Sequence, residues 1–260
     1  MKRGIAAASA LLFLGTALAA QQVKSFREQQ LRYRRVRIAA QEKDEVLKKR
    51  FTDTGLAYPP KAIFLRAFKK EGSVELWGSA SEGGSYTLVS TYTICTTSGT
   101  LGPKRQTGDG QVPEGFYELD QFNPQSSFFL SLHISYPNAS DRILGSHRDP
   151  GGNIYLHGDC ASIGCIPITD DGIKEVYWAA VLARSSGEQH IPLHIFPSRL
   201  TDAEFKELAA SHSSQPGVVA FWVNIKQGFD YFEKNHRLPL ITVAKDGRYL
   251  FSAETPPRRR

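Results

Sequence analysis

The hydrophobic period of this chain changes close to residue 165, and that change limits the folds open to it. Before it, apolar residues come in short alternating or continuous runs over 63–68, 74–77, 86–95, 116–119, 128–136 and 153–156. Turn-forming residues bound these runs, and they read as strands. After it, Ile173, Val176, Tyr177, Ala180 and Val181 recur at helical spacing, behind Thr169 as N-cap with Asp170 and Asp171 in the first turn. A strand follows over 191–196. Thr201-Asp202-Ala203-Glu204 is a capping-box pattern that opens a helix to about Ala210. Residues 218–235 make another helix, with Phe221, Trp222, Ile225, Phe229 and Phe232 as its core stripe, and a hairpin around Asp246-Gly247 ends the pattern. Strands first, then mixed helices and strands, is the α+β order.

The two ends differ from the middle. Lys2 and Arg3, an apolar stretch over 5–18 and Ala17-Leu18-Ala19-Ala20 have the layout of a secretory signal peptide cleaved near residue 20. A retained N-terminal anchor is the alternative. No later segment is apolar enough to cross a membrane. Residues 21–58 form a basic, helical N-terminal segment, loosely attached, with Val23, Phe26, Tyr33, Val46 and Leu47 among its sparse apolar residues. Gly55 and Pro59-Pro60 mark the boundary to a single domain over 59–256, and 257–260 is a basic tail. The formal net charge is +6. Residues 51–257 carry 17 Lys/Arg against 22 Asp/Glu, so the basicity belongs to the ends. That argues against a nucleic-acid partner for the domain.

The chemistry concentrates in His157-Gly158-Asp159-Cys160-Ala161-Ser162-Ile163-Gly164-Cys165. A thiol attacks as thiolate, and imidazole is its usual base. Gly164 before Cys165 permits a tight turn, aiming the N–H groups of Gly164 and Cys165 at one spot as an oxyanion hole requires. Other readings stand beside a Cys-His acyl-transfer site. Cys160 and Cys165 would serve as a structural disulfide or as small buried residues, or the three would ligate zinc, without an evident fourth ligand. Three cysteines in an exported chain fit one disulfide and one free thiol.

His157-Gly158 followed by Ser162-Ile163-Gly164-Cys165 resembles the signature of the L,D-transpeptidase catalytic domain (YkuD type), and the wider pattern resembles its YafK-type branch. The further segments are Ile94-Cys95, Gly102-Pro103-Lys104, Gly108-Asp109, Val112-Pro113-Glu114-Gly115-Phe116-Tyr117, Tyr136-Pro137-Asn138-Ala139 and Phe221-Trp222. The resemblance covers roughly residues 60–252. It implies a mainly β catalytic domain with C-terminal helices, acting on peptidoglycan in the periplasm or cell envelope. Cys165 would attack an amide of diaminopimelate in a stem peptide. His157 would move the proton, and a thioester would form. Amine would complete transpeptidation and water hydrolysis, with no cofactor or metal.

In this resemblance Ser162 shapes the loop and Gly158 allows close backbone approach. Many members carry an arginine two residues after the cysteine, where this chain has Pro167, and the spacing from His157 to Cys165 is shorter than in that larger group. Carboxylate binding would then need another cation, with Arg148, Arg142 and Lys104 as candidates. The branch includes enzymes that release a peptidoglycan-bound lipoprotein, so an amidase is the alternative. A non-catalytic cell-wall binding module is the alternative of another class. Cys95 and Cys160 are the pair for a disulfide that leaves Cys165 free, against two buried thiols.

Overall fold

A computed structural model of the chain describes residues 25–253. The expected leader, residues 21–24 and the arginine tail lie outside the described residues. The elements follow as α1 (Phe26–Gln30), α2 (Arg34–Asp53), β1 (Ala62–Phe68), β2 (Ser73–Ser79), β3 (Tyr86–Thr93), β4 (Gly115–Asn123), β5 (Ser131–Ile134), α3 (Ala139–Leu144), β6 (Tyr155–His157), β7 (Ile166–Pro167), α4 (Thr169–Ser185), β8 (Ile191–Phe196), α5 (Asp202–Ser211), α6 (Pro216–Asn235), β9 (Leu240–Val243) and β10 (Tyr249–Ser252). Among these residues no helix is long and apolar enough to cross a membrane.

Eight strands form one mixed sheet in the order β3-β2-β1-β8-β4-β5-β6-β7, and β9 pairs with β10 apart from it. β1 runs antiparallel to β2 and parallel to β8, with Leu65 opposite Leu193 and Ala67 opposite Ile195. Both faces of the sheet are covered. Side chains alternate along a strand, so Ile63, Leu65 and Ala67 join the core under α2 and α4. Phe64 and Phe68 face the aromatic stripe of α6 instead. Arg66, also buried, pairs with Glu75 at 2.9 Å and lies over the rings of Trp77 and Phe232 at 4.8 and 4.6 Å.

The N-terminal helices are part of this fold, which corrects the expectation of loose attachment. Val36, Ala39, Leu47 and Phe51 of α2 are fully buried in the same core as α4. Burying a large apolar side chain is worth roughly 1.5–3 kcal/mol, so Val36, Leu47 and Phe51 alone hold α2 firmly. Polar contacts fix its register on α4. Lys43 Nζ lies 2.6 Å from Asp171, and Trp178 Nε1 donates to Asp44 at 2.6 Å. Arg50 lies 3.0 Å from buried Glu175. Val46, beside Leu47, is turned to the exposed side of α2 by the helical step between neighbours.

Elsewhere the structure shifts or adds elements. The strand expected over 128–136 shrinks to β5, because Phe129 has φ +68° and turns the chain out of extended geometry. Asn153, at φ +55°, likewise delays β6 to Tyr155. α3 occupies a stretch expected to be loop. Asn138 and Asp141 form a reciprocal cap there, each side chain accepting the other's backbone N–H. Thr169 opens α4 with its hydroxyl accepting the Gly172 N–H at 3.2 Å.

Candidate active site

His157 ends β6, and Cys165 immediately precedes β7. The two strands run parallel, with Leu156 opposite Ile166 and His157 opposite Pro167. Carried back one residue, that register sets Cys165 level with Tyr155, whose backbone favours the thiolate form. The period of two then puts the side chains of His157 and Cys165 on one face. Cys165 is half-buried, and its Sγ lies 3.9 Å from the carbonyl of Asn153. A narrow apolar cavity lined by Ala67, Ile94, Val112 and Ile166 reaches the thiol.

The imidazole is buried and lies flat on Phe128, with ring centroids 4.5 Å apart and planes at 28°. Its Nδ1 contacts the carbonyl oxygen of Gly158. A carbonyl only accepts, so Nδ1 carries the proton and Nε2 keeps its lone pair. Among the described residues Nε2 has no hydrogen-bond partner. Burial pushes the imidazole below its ordinary pKa, against the opposing pull of the Gly158 carbonyl and Asp159. Burial also pushes the Cys165 thiol up, against the Tyr155 backbone and the charge of Lys104. Both shifts favour uncharged forms, so the site rests as neutral thiol beside neutral imidazole. Unprotonated imidazole is the form that accepts a proton.

The glycines have separate duties. At Gly164, φ is +132°, and an added Cβ would meet the carbonyl oxygen of Gln111 at 3.1 Å. At Gly158, a Cβ would sit 2.5 Å from Asp170 Oδ1 and 2.9 Å from the carbonyl oxygen of Phe128. Ser162 Oγ donates to the carbonyl of Cys165 at 2.8 Å and accepts the N–H of Gly164 at 3.2 Å. Of the two N–H groups expected to form an oxyanion hole, that of Gly164 is engaged by the Ser162 hydroxyl.

Cys95 is bonded to Cys160, and Cys165 is the free thiol. With Cys160 so engaged, His157, Cys160 and Cys165 do not assemble as zinc ligands. Among the described residues, no group of three or more His, Cys, Asp or Glu is arranged to hold a metal ion.

The three candidate cations separate. Arg142 is exposed on α3 and Arg148 on the following loop, and neither makes a hydrogen bond or ion pair with Cys165 or His157. Lys104 is buried, with Nζ 2.6 Å from Asp109 Oδ1 and 2.9 Å from the carbonyl of Gln106. Its charge reaches the thiol, but its ammonium is already bonded.

Asp109 also accepts the N–H groups of Arg105, Gln106 and Gln111, and so shapes the loop that touches Gly164. Behind it, Glu114 accepts from Lys69, from the N–H of Gly102 and from Trp222 of α6. Sequence reasoning missed Phe128, Asn153 and Tyr155 as neighbours of the site. The Gly108-Asp109-Gly110 turn pattern is the one local signal for the Asp109 loop.

No protein-family model matches the chain. It is 36% identical over 192 residues to the protein named "Putative L,D-transpeptidase YafK" of Escherichia coli K12, covering 73% of this chain and 74% of that one. Among solved structures, the helical cell shape determining protein Pgp2 (K307A mutant) of Campylobacter jejuni is similar at 18% identity and TM-score 0.43, over 68% of each chain. Bd1075 of Bdellovibrio bacteriovorus is similar at 18% identity and TM-score 0.39, over 61% of this chain and 56% of that one. Likenesses this distant decide nothing about the site.

Proposed function

Since this chain belongs to the YafK branch of the L,D-transpeptidase family, we propose that it is an exported cysteine acyltransferase of the cell envelope that acts on peptidoglycan stem peptides. The supporting observation is the state of His157: Nδ1 is occupied by the Gly158 carbonyl, and Nε2 is unbonded on the face shared with the Cys165 thiol. Cys165 Sγ attacks the carbonyl carbon of a diaminopimelate amide as Nε2 takes the thiol proton. The negative charge that develops on the carbonyl oxygen needs a hydrogen-bond donor, and the backbone N–H of Cys165 is the candidate. Collapse breaks the C–N bond, and the imidazolium returns its proton to the leaving amine. The thioester then passes its acyl group to an incoming amine.

Hydrolysis is the second reading, with water in place of the amine and lipoprotein release as the physiological form. It is favoured by Pro167, which stands where a carboxylate-binding arginine is common, and by Lys104, whose ammonium is already bonded to Asp109. Incubating the mature protein with sacculi that carry bound lipoprotein separates the readings, with and without an added D-amino acid, and with Cys165→Ala as control. Mass spectrometry of the wall fragments is the readout. Exchanged or newly cross-linked stem peptides mean transpeptidation. Lipoprotein peptide released without exchange means hydrolysis. No difference from Cys165→Ala would overturn the proposed activity on this substrate and favour a binding module.

A further inference from the structure

The basic N-terminal helix reaches towards the imidazole. Arg35, in the first turn of α2, donates through Nη1 to the carbonyls of Ser126 and Phe129, the latter at 2.7 Å. Its guanidinium lies over the Phe129 ring at 5.6 Å, and Lys174 of α4 lies over the same ring at 5.6 Å. Phe129 needs this support because a bulky residue at φ +68° is disfavoured by its own Cβ. The turn so held carries Phe128, which is 39% exposed yet stacked on His157. The Gly158 N–H donates to Leu130 at 3.2 Å, tying the same turn to the end of β6.

We propose that Arg35 is a positioning residue for the candidate base. By gathering the Ser126 and Phe129 carbonyls, it holds the 126–129 turn so that Phe128 stays flat on the His157 ring. The N-terminal helices thereby complete the site from some 120 residues upstream in the chain. Without Arg35, the unsupported turn relaxes, Phe128 leaves the imidazole and water reaches it. The inference rests on His157 being the base for its effect on turnover, but not for its effect on the ring itself.

The test measures the ring separately from turnover. The His157 Cε1–H resonance, assigned by His157→Gln, is titrated by NMR in full-length mature protein carrying Cys165→Ala. Arg35→Met should move the titration upward towards ordinary imidazole, because a solvated ring accepts charge more readily. The acids nearest the ring act in the same direction: Asp159 adjoins it, and Asp170 accepts the Asp159 N–H at 2.8 Å. Losing a cation alone would also raise the titration, so two further variants are needed. Phe128→Ala keeps the charge and should reproduce the shift, with the double variant adding nothing further. Arg37→Met removes a charge on the same helix, where Arg37 bonds the carbonyls of Leu31 and Arg32, and should leave the titration at the wild-type value.

With Cys165 restored, Arg35→Met should lower kcat roughly tenfold at pH 6 and much less at pH 8, with KM unchanged. Arg35→Lys should recover most of it. A folded Arg35→Met protein whose His157 titrates as in wild type would overturn the proposal. If Arg35→Met does not fold, Arg35→Lys and Phe128→Ala decide: unchanged titration in Phe128→Ala refutes the relay. Shifted titration with unchanged turnover would support the positioning and remove the catalytic role assigned to His157.

Discussion

Glu188 offers a sharp test of how this fold handles a buried acid. Its carboxyl lies beside the start of β1, accepting the Ile63 N–H at 3.0 Å through Oε2. It is 4% exposed, and among the described residues no ion pair engages it. Burial is the main cause of its raised pKa; the Ile63 N–H opposes it, Glu82 adds to it and the charge of Arg184 opposes it, for a value of about 8 against an ordinary 4.5. A carboxyl whose folded pKa exceeds its unfolded pKa binds more protons in the native state between the two values. Its contribution is therefore most favourable below pH 4.5 and is lost as pH rises through 8. At about 1.4 kcal/mol per tenfold, the loss is about 5 kcal/mol when complete, large against whole-domain stabilities of roughly 5–15 kcal/mol. Glu188→Gln keeps an acceptor for Ile63 and cannot ionise. Urea titrations at pH 4.5 and pH 9 measure the effect. With a slope near 2 kcal/mol per molar urea, the variant midpoint should rise by about 2.5 M at pH 9 and barely move at pH 4.5. Equal midpoints at pH 9, or the same gain at both pH values, would refute the argument.

Three further predictions concern the site. Burial raises the Cys165 thiol while Lys104 opposes it, so Lys104→Met should push the thiol higher still. Iodoacetamide labelling across pH would reveal this as an alkaline shift of the rate profile, and an unchanged profile would exclude the charge effect. Gly164→Ala combines φ +132° with a 3.1 Å approach to the Gln111 carbonyl. Strain of about 1–3 kcal/mol at the residue before Cys165, the proposed nucleophile, should cut turnover at least tenfold while circular dichroism stays native. The Cys95–Cys160 bond closes a loop of 65 residues. Replacing both by serine should lower stability by about 2–4 kcal/mol, read as a lower denaturation midpoint that reductant no longer changes.

Much of the candidate site was legible because its residues are neighbours in the chain. Cys165, Ser162, Gly164, Gly158 and His157 fall within nine residues, and a short loop with this glycine content brings them near one another whatever surrounds it. The residues around them were not legible. Phe128 reaches His157 through the β5–β6 pairing, in which Ser131 faces His157. Lys104 reads in sequence as a cation free to bind substrate, and only the folded loop commits it to Asp109. Gly164 looks like an oxyanion donor until Ser162 takes its N–H.

The sequence alone determined the helical stripe of α6, the capped starts of α5 and α4, and the strand character of β1 to β4, because period and capping act within a few residues. It determined the mildly acidic middle and the basic ends by count. Tertiary structure decided that β8 enters the sheet between β1 and β4, that α2 packs on α4, and that Arg35 supports the turn beside His157. The physical reason is range. Period states which face a segment must bury, but not what buries it. α2 carries few apolar residues, and Val36, Ala39, Leu47 and Phe51 line up as a core face only once α4 and the sheet lie opposite them.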